Sequence, residues 1–214
     1  MFRNWSEGLP ADVEVCPIQF PGRGTRLMEP PFRCLSHLVE ALSEGILSLL
    51  DKPFALFGHS LGSLVTFELA RHLRAKHQVR PVCMFVSAGR APQIPHQGMP
   101  IHNLPEREFL SEVHSLNGTS AELLNQQELM DIVLPSLRAD FALYESYRYL
   151  PGPPLNFPIS TFGGLSDQKV SRTDLEAWRV QTSESFSIRM FPGDHFFLRT
   201  AQPLLLRALS RELR

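Results

Sequence analysis

The chain has 214 residues, of which 43% are hydrophobic, enough for one globular domain with a substantial core. Its formal net charge of −1 gives no electrostatic case for nucleic acid or an anionic membrane as partner, and no run of about 18 apolar residues predicts a membrane-spanning helix. The N-terminus lacks the basic-then-apolar layout of a secretory signal, and Cys16, Cys34 and Cys83 are too few and too scattered for a disulfide framework, so a reducing cytoplasm is expected, with Cys16 and Cys83 as core thiols.

Strand-like and helix-like segments alternate along the chain, which predicts an α/β fold with a mostly parallel sheet. Strands are expected at residues 13–18, 54–57, 82–86, 159–162 and 186–191. Leu35, Leu38, Val39, Leu42, Ile46, Leu49 and Leu50 fall at helical spacing between the first two. A further amphipathic helix is expected over 199–213.

The second strand runs straight into Gly58-His59-Ser60-Leu61-Gly62, and Leu61, Leu64, Val65, Leu69 and Leu73 then continue as one helical face. Strand, Gly-x-Ser-x-Gly and helix in that order predict a nucleophile elbow with Ser60 exposed at its apex. Both glycines are read as positions where a Cβ would crowd the turn. The Leu61 N–H, at the positive end of the helix, suits a developing oxyanion. The plainer alternative is a glycine-rich turn with a bystander serine.

Residues 99–150 break the alternation. Phe109, Leu110, Val113 and Leu116, then Leu129, Ile132 and Val133, then Leu137, Phe141, Tyr144 and Tyr147 mark helices, punctuated by Pro105, Gly118 and Pro135. The expected organisation is one domain: a core in two parts (1–98 and 151–214) with a helical lid insertion at 99–150. Helices packed only for stability are the alternative.

A serine hydroxyl needs a base, and the base needs a third group to hold its tautomer. Asp167 follows the strand at 159–162 through Gly163-Gly164-Leu165-Ser166. His195 follows the strand at 186–191 through Pro192-Gly193-Asp194. Both then lie at the sheet edge that carries Ser60. Of the eight histidines, His59 is expected to pack or orient beside the nucleophile, and His114 falls in the insertion. Asp194 is too close in sequence to His195 to reach its Nδ1, and Asp174 is better placed to cap a helix. No metal-ligand spacing is present, and Pro21-Gly22-Arg23-Gly24 opens no phosphate-binding helix.

With these residues the chain resembles the type II thioesterases of the α/β-hydrolase superfamily, stand-alone editing enzymes of nonribosomal peptide and polyketide synthesis related to the medium-chain thioesterase of fatty acid synthase. The resemblance rests on Gln19-Phe20-Pro21-Gly22-Arg23-Gly24, the elbow, Leu134-Pro135-Ser136-Leu137-Arg138-Ala139-Asp140-Phe141, Phe162-Gly163-Gly164-Leu165-Ser166-Asp167, Glu176-Ala177-Trp178 and Phe191-Pro192-Gly193-Asp194-His195-Phe196-Phe197. It implies an α/β-hydrolase fold with helices on both sheet faces and a lid. The implied reaction is hydrolysis of acyl thioesters by Ser60, His195 and Asp167, with Leu61 N–H as oxyanion donor and Phe109, Leu110, Leu137, Phe141 and Tyr144 lining an acyl chamber. The implied partners are acyl or peptidyl carrier proteins. Their phosphopantetheine arm is part of the substrate, so the enzyme is expected to need no cofactor and no metal. A cytoplasmic monomer without nucleic-acid or membrane partners is expected, and Arg90, Arg107 and Arg138 are candidate docking residues for an acidic carrier.

The family begins with a further strand and a Phe-Pro-x-Ala-Gly-Gly type loop that supplies the second oxyanion donor; neither is found here. Residues 1–10 read as the body and exit of the helix after that loop. In the family topology the strand lies between those at 13–18 and 54–57. Three readings follow: a longer natural protein, an impaired shorter enzyme, or a carrier-binding module without turnover. A carboxylesterase or acyltransferase acting on small esters is the remaining alternative.

Overall fold

Among the described residues, four short runs of apolar residues pair into a single parallel sheet. The computed structural model describes residues 2, 4–96, 98–115 and 127–213, the side chains at 114, 115 and 127–129 excepted. Leu116, Gly118 and the side chains of His114 and Leu129 therefore lie outside the described residues. The strands are β1 (Ala55–His59), β2 (Cys83–Ser87), β3 (Ile159–Gly164) and β4 (Phe186–Phe191), in the order β1-β2-β3-β4. Every pairing is parallel. β2 and β3 are buried at every position, as befits central strands covered on both faces. β1 and β4 show alternating burial along most of their length. His59 lies opposite Ser87, and Gly164 opposite Phe191. The loops that leave the C-terminal ends of the strands thus emerge along one edge, where open α/β sheets hold their sites.

The helices are α1 (Leu35–Ile46), α2 (Leu61–His72), α3 (Glu106–Ser115), α4 (Gln127–Glu145), α5 (Arg172–Glu176), α6 (Phe197–Thr200) and α7 (Gln202–Glu212). On one sheet face Cys83, Phe85, Phe162 and Phe191 share a core with Phe197 of α6, Leu205, Leu206 and Leu209 of α7, and Trp5. Alternation sends Met84 and Val86, both 0% exposed, to the opposite face. α2, which adds nothing to the first cluster, packs on β1 and β2. Burying one Leu- or Phe-sized side chain is worth roughly 1.5–3 kcal/mol, so these two layers dominate the stability of the sheet.

The chain divides into two compact units: Met1–Ile18, Leu42–Ile94 and Leu150–Arg214 form one, Gln19–Ala41 and Pro95–Tyr149 the other. Inside the second, Arg23 forks onto Asp140 at 3.1 and 2.8 Å, and the Ser136 hydroxyl donates to the Gly22 carbonyl. Glu145 accepts from the Ile101 and His102 backbone N–H groups and pairs with His102 Nδ1. Inside the first, three arginines fasten the Pro-rich segment that returns from the insertion. Arg71 donates to Leu150 O, Arg74 to the Pro153 and Pro154 carbonyls, and Arg80 to Asn156 O.

Four expectations change. Residues 13–18 form no strand: a strand exists only through its ladder, and among the described residues β1 pairs on one side only, with β2. Cys16 is consequently exposed, whereas Cys83 is buried and its thiol is pushed up to about 12 by burial. Residues 5–8 form a 3₁₀ turn in place of a helix body, and its Trp5 packs edge-on to Phe57 at 4.8 Å. Pro135 does not separate two helices but lies within α4. Proline forfeits one internal hydrogen bond, and α4 runs on through it, carrying Ser136 and Asp140 to their partners Gly22 and Arg23.

Candidate active site

β1 ends at His59, and the chain reverses into α2 through a single residue, Ser60, at φ 54° and ψ −119°. A non-glycine residue in that region stores about 1–3 kcal/mol of strain and persists only where its surroundings over-determine it. Here they do. Ser60 N donates to Ser87 O at 2.8 Å, and Ser63 Oγ bridges the Gly58 and Ser87 carbonyls at 2.9 and 3.1 Å. A Cβ on Gly58 would meet Gly62 O at 2.1 Å, so only glycine lets strand and helix approach this closely. Gly62 differs from expectation: a Cβ there would meet nothing within 4 Å, because it already stands in the first turn of α2. Leu61 opens that helix, so its N–H has no acceptor within it and is available to a ligand oxygen.

The acid and base loops are stitched together by their backbones. Leu165 N donates to Phe191 O at 2.8 Å and Ser166 N to Gly193 O at 2.9 Å. The approach is so close that a Cβ on Gly164 would lie 2.2 Å from Asp194 O. Beyond these loops Asp167 Oδ1 accepts from Lys169 N and Val170 N at 2.8 and 3.2 Å, while its Oδ2 pairs with His195 Nδ1 at 2.9 Å. The Asp167 side chain is 0% exposed. Burial alone would raise its carboxyl pKa, but the His195 hydrogen bond and the two backbone N–H donors outweigh it and hold the pKa below the usual carboxylate value. An ionised Asp167 places the His195 proton on Nδ1, which leaves Nε2 as acceptor for the Ser60 hydroxyl, 3.0 Å away. Ser60, His195 and Asp167 thus meet in one unit with the distances that nucleophile, base and orienting acid require.

His59 packs beside the base, its ring 5.3 Å from His195 and 5.9 Å from Phe196 between centroids. Its Nδ1 bonds the Ser87 hydroxyl at 3.0 Å, and its Nε2 is buried without a hydrogen-bond partner. Burial, with the nearby His195 and Arg199 adding to it against the opposing pull of Asp167, pushes its pKa down to about 3. His59 is therefore neutral near neutral pH. The rival acids take other duties: Asp194 accepts from Phe196 N, and Asp174 closes a reciprocal capping box with Ser171.

Sequence reasoning missed Ser87. Its carbonyl holds Ser60 and Ser63, and its hydroxyl holds His59. The available signal was a serine closing the otherwise apolar run Cys83-Met84-Phe85-Val86, where a polar side chain at 0% exposure must have partners. The five expected chamber residues all fall in the second unit. Phe109 is wholly buried there, edge-on to Phe141 at 5.5 Å with the Arg138 guanidinium 4.4 Å above its ring. Leu110, Leu137 and Phe141 are half-buried, as is Tyr144, which lies edge-on to His96. Of the candidate docking residues, Arg90 is tied to Lys169 O and Asp174, Arg138 to the His102 and Leu104 carbonyls, and Arg107 is exposed on α3. Among the described residues no group of three or more His, Cys, Asp or Glu is placed to hold a metal ion, and no helix is long and apolar enough to cross a membrane.

The family model of the thioesterase domain matches residues 1–213. The chain belongs to the thioesterase family. Among curated relatives, the gramicidin S biosynthesis protein GrsT of Aneurinibacillus migulanus is 46% identical over 213 residues, covering 100% of this chain and 83% of that protein. Thioesterase PikA5 of Streptomyces venezuelae is 38% identical over 92% of this chain and 70% of its own length. Among solved structures, the RedJ thioesterase of the prodiginine pathway in Streptomyces coelicolor superposes with a TM-score of 0.91 at 37% identity, covering 99% of this chain and 84% of that one. ClbQ from the colibactin pathway gives 0.93 at 28% identity, covering 99% and 90%. This thioesterase is a hydrolase with the α/β-hydrolase fold, similar to the type II enzymes of nonribosomal peptide and polyketide pathways.

Proposed function

We infer that this thioesterase removes acyl groups from the phosphopantetheine arms of acyl or peptidyl carrier proteins, as an editing or releasing enzyme of nonribosomal peptide, polyketide or fatty acid synthesis. The observation that carries the reading is the Ser60–His195–Asp167 chain of 3.0 and 2.9 Å hydrogen bonds in a member of the thioesterase family. Ser60 Oγ attacks the thioester carbonyl as its proton passes to His195 Nε2, and the imidazolium is stabilised by Asp167. Leu61 N–H donates to the tetrahedral oxyanion; a donor of this kind is typically worth about 10²–10³ in rate. His195 returns the proton to the leaving thiol. Water then gives a proton to His195 and attacks the acyl-Ser60 ester, and collapse releases the carboxylic acid and restores the serine hydroxyl.

In this reading the arm arrives with the carrier, so the enzyme brings neither cofactor nor metal, and it works as a cytoplasmic monomer. Leu110, Leu137, Phe141 and Tyr144 contact the acyl chain, and Phe109 supports them from the core of their unit. The test compares an acyl carrier-protein thioester with the matched free oxygen ester, with Ser60→Ala as control. Hydrolysis of the thioester at least about tenfold faster than that of the oxygen ester, abolished in Ser60→Ala, is expected. Faster turnover of the oxygen ester would make the enzyme a carboxylesterase, and turnover by Ser60→Ala would remove the serine mechanism.

A further inference from the structure

The second unit contains a cavity of about 520 Å³ whose charged lining the reaction above does not use. Arg33, His102, Asn103, Arg138 and Ser146 supply its polar walls, and among the described residues no carboxylate lines it. The nearest acid in sequence to this wall, Glu145, is 4% exposed and already engaged by two backbone N–H groups and the His102 ring. Its carboxylate is thus turned toward the Ile101–His102 backbone and the His102 ring and does not line the cavity.

Elsewhere in this unit Arg23 and Arg26 are neutralised by Asp140 and Glu29. The two arginines of the cavity form no ion pair among the described residues. Arg138 donates through Nη1 to the His102 and Leu104 carbonyls, at 2.9 and 2.7 Å, with its plane over Phe109. Carbonyl dipoles orient a guanidinium without neutralising it, so Arg138 is a fixed fork that still carries its charge. Arg33 is exposed at the cavity wall. Ser146 donates its hydroxyl proton to Ala142 O and His102 Nδ1 is held by Glu145. The donors left to a ligand are the two guanidinium groups and the Asn103 amide, which exceed what one carboxylate uses and match the several oxygens of a phosphate. The cavity is open to solvent on one side and large enough to admit an organic phosphate rather than an inorganic ion alone.

We propose that this cavity binds an organic phosphate through Arg33 and Arg138. The chemistry is shared by two sources, the phosphodiester of a carrier-borne arm and a free phosphorylated metabolite; only the first rests on the carrier reading given above. Calorimetric titration of the full chain with phosphopantetheine and with pantetheine, at equal ionic strength, tests the site itself. Phosphopantetheine is expected to bind about tenfold or more tightly than pantetheine, the effect of one charge-assisted contact. Arg33→Glu is expected to abolish that preference and leave pantetheine affinity unchanged. An exposed side chain outside every ion pair described is not needed for folding, so this variant is the decisive one. Arg138→Lys, which keeps the charge but loses the fork, is expected to weaken phosphopantetheine several-fold. Equal affinity for the two ligands, or a preference that survives Arg33→Glu, would overturn the proposal.

Kinetics then separate the sources. If the phosphate belongs to the carrier arm, Arg33→Glu raises KM for an acyl-phosphopantetheine about tenfold and leaves KM for the acyl-pantetheine unchanged. If it belongs to a free metabolite, the calorimetric preference stands and neither KM moves. Failure to hydrolyse either thioester would count against the thioester reading of Ser60 and would leave the calorimetric result intact.

Discussion

His59 should make this enzyme acid-sensitive well above the range in which carboxylates titrate. In the folded chain its pKa is about 3, against 6.5 for an unperturbed histidine, chiefly because its ring is buried. As pH falls below 6.5 the unfolded chain takes up a proton that the folded chain refuses, so stability is full above that value and is lost progressively toward pH 3. At about 1.4 kcal/mol per pH unit, moving from about pH 7 to about pH 5 removes about 2 kcal/mol through this residue alone. That is a large share of a typical folding free energy of about 5–15 kcal/mol. Urea denaturation of the wild-type chain and His59→Gln at these two pH values measures it. Glutamine does not titrate and can still bond Ser87, so the wild type should lose about 2 kcal/mol more than the variant over that interval. Equal losses in the two proteins would mean that His59 is charged in the folded state, contrary to the packing of its ring against His195 and Phe196.

Two other substitutions probe the geometry of the triad. Ser60→Gly removes the nucleophile but relieves a residue held at φ 54°; chemical denaturation should show a gain of about 1 kcal/mol alongside complete loss of turnover, and a loss of stability would contradict the strain argument. Gly164→Ala places a methyl group 2.2 Å from Asp194 O and must push the acid and base loops apart. A displacement of about 1 Å costs about 10²-fold in rate, so kcat should fall by that factor with KM little changed, and an unaltered kcat would show that the loops accommodate the methyl group.

Much of the site was legible because its parts are local. A strand ending in Gly58-His59-Ser60-Leu61-Gly62, with helical spacing starting at Leu61, requires a tight reversal whichever neighbours surround it, and the loops after β3 and β4 each carry one chemically apt residue. The order Ser60, Asp167, His195 then follows from a parallel sheet whose strand ends share an edge. The candidate chamber residues were less legible, because helical periodicity identifies an apolar face without saying what covers it. Phe109 turned out to serve the core beneath Arg138.

What the amino-acid order determined was the alternation of elements, the elbow and the identity of its three chemical groups, since these depend on periodicity, glycine sterics and residue chemistry over a few positions. Tertiary structure alone decided that residues 13–18 carry no ladder, that Pro135 lies inside a helix, that Ser87 anchors the nucleophile and that Arg138 is held by the His102 and Leu104 carbonyls. Each of these depends on which groups from distant parts of the chain come within hydrogen-bonding or van der Waals reach, and such proximity is a property of the packed fold.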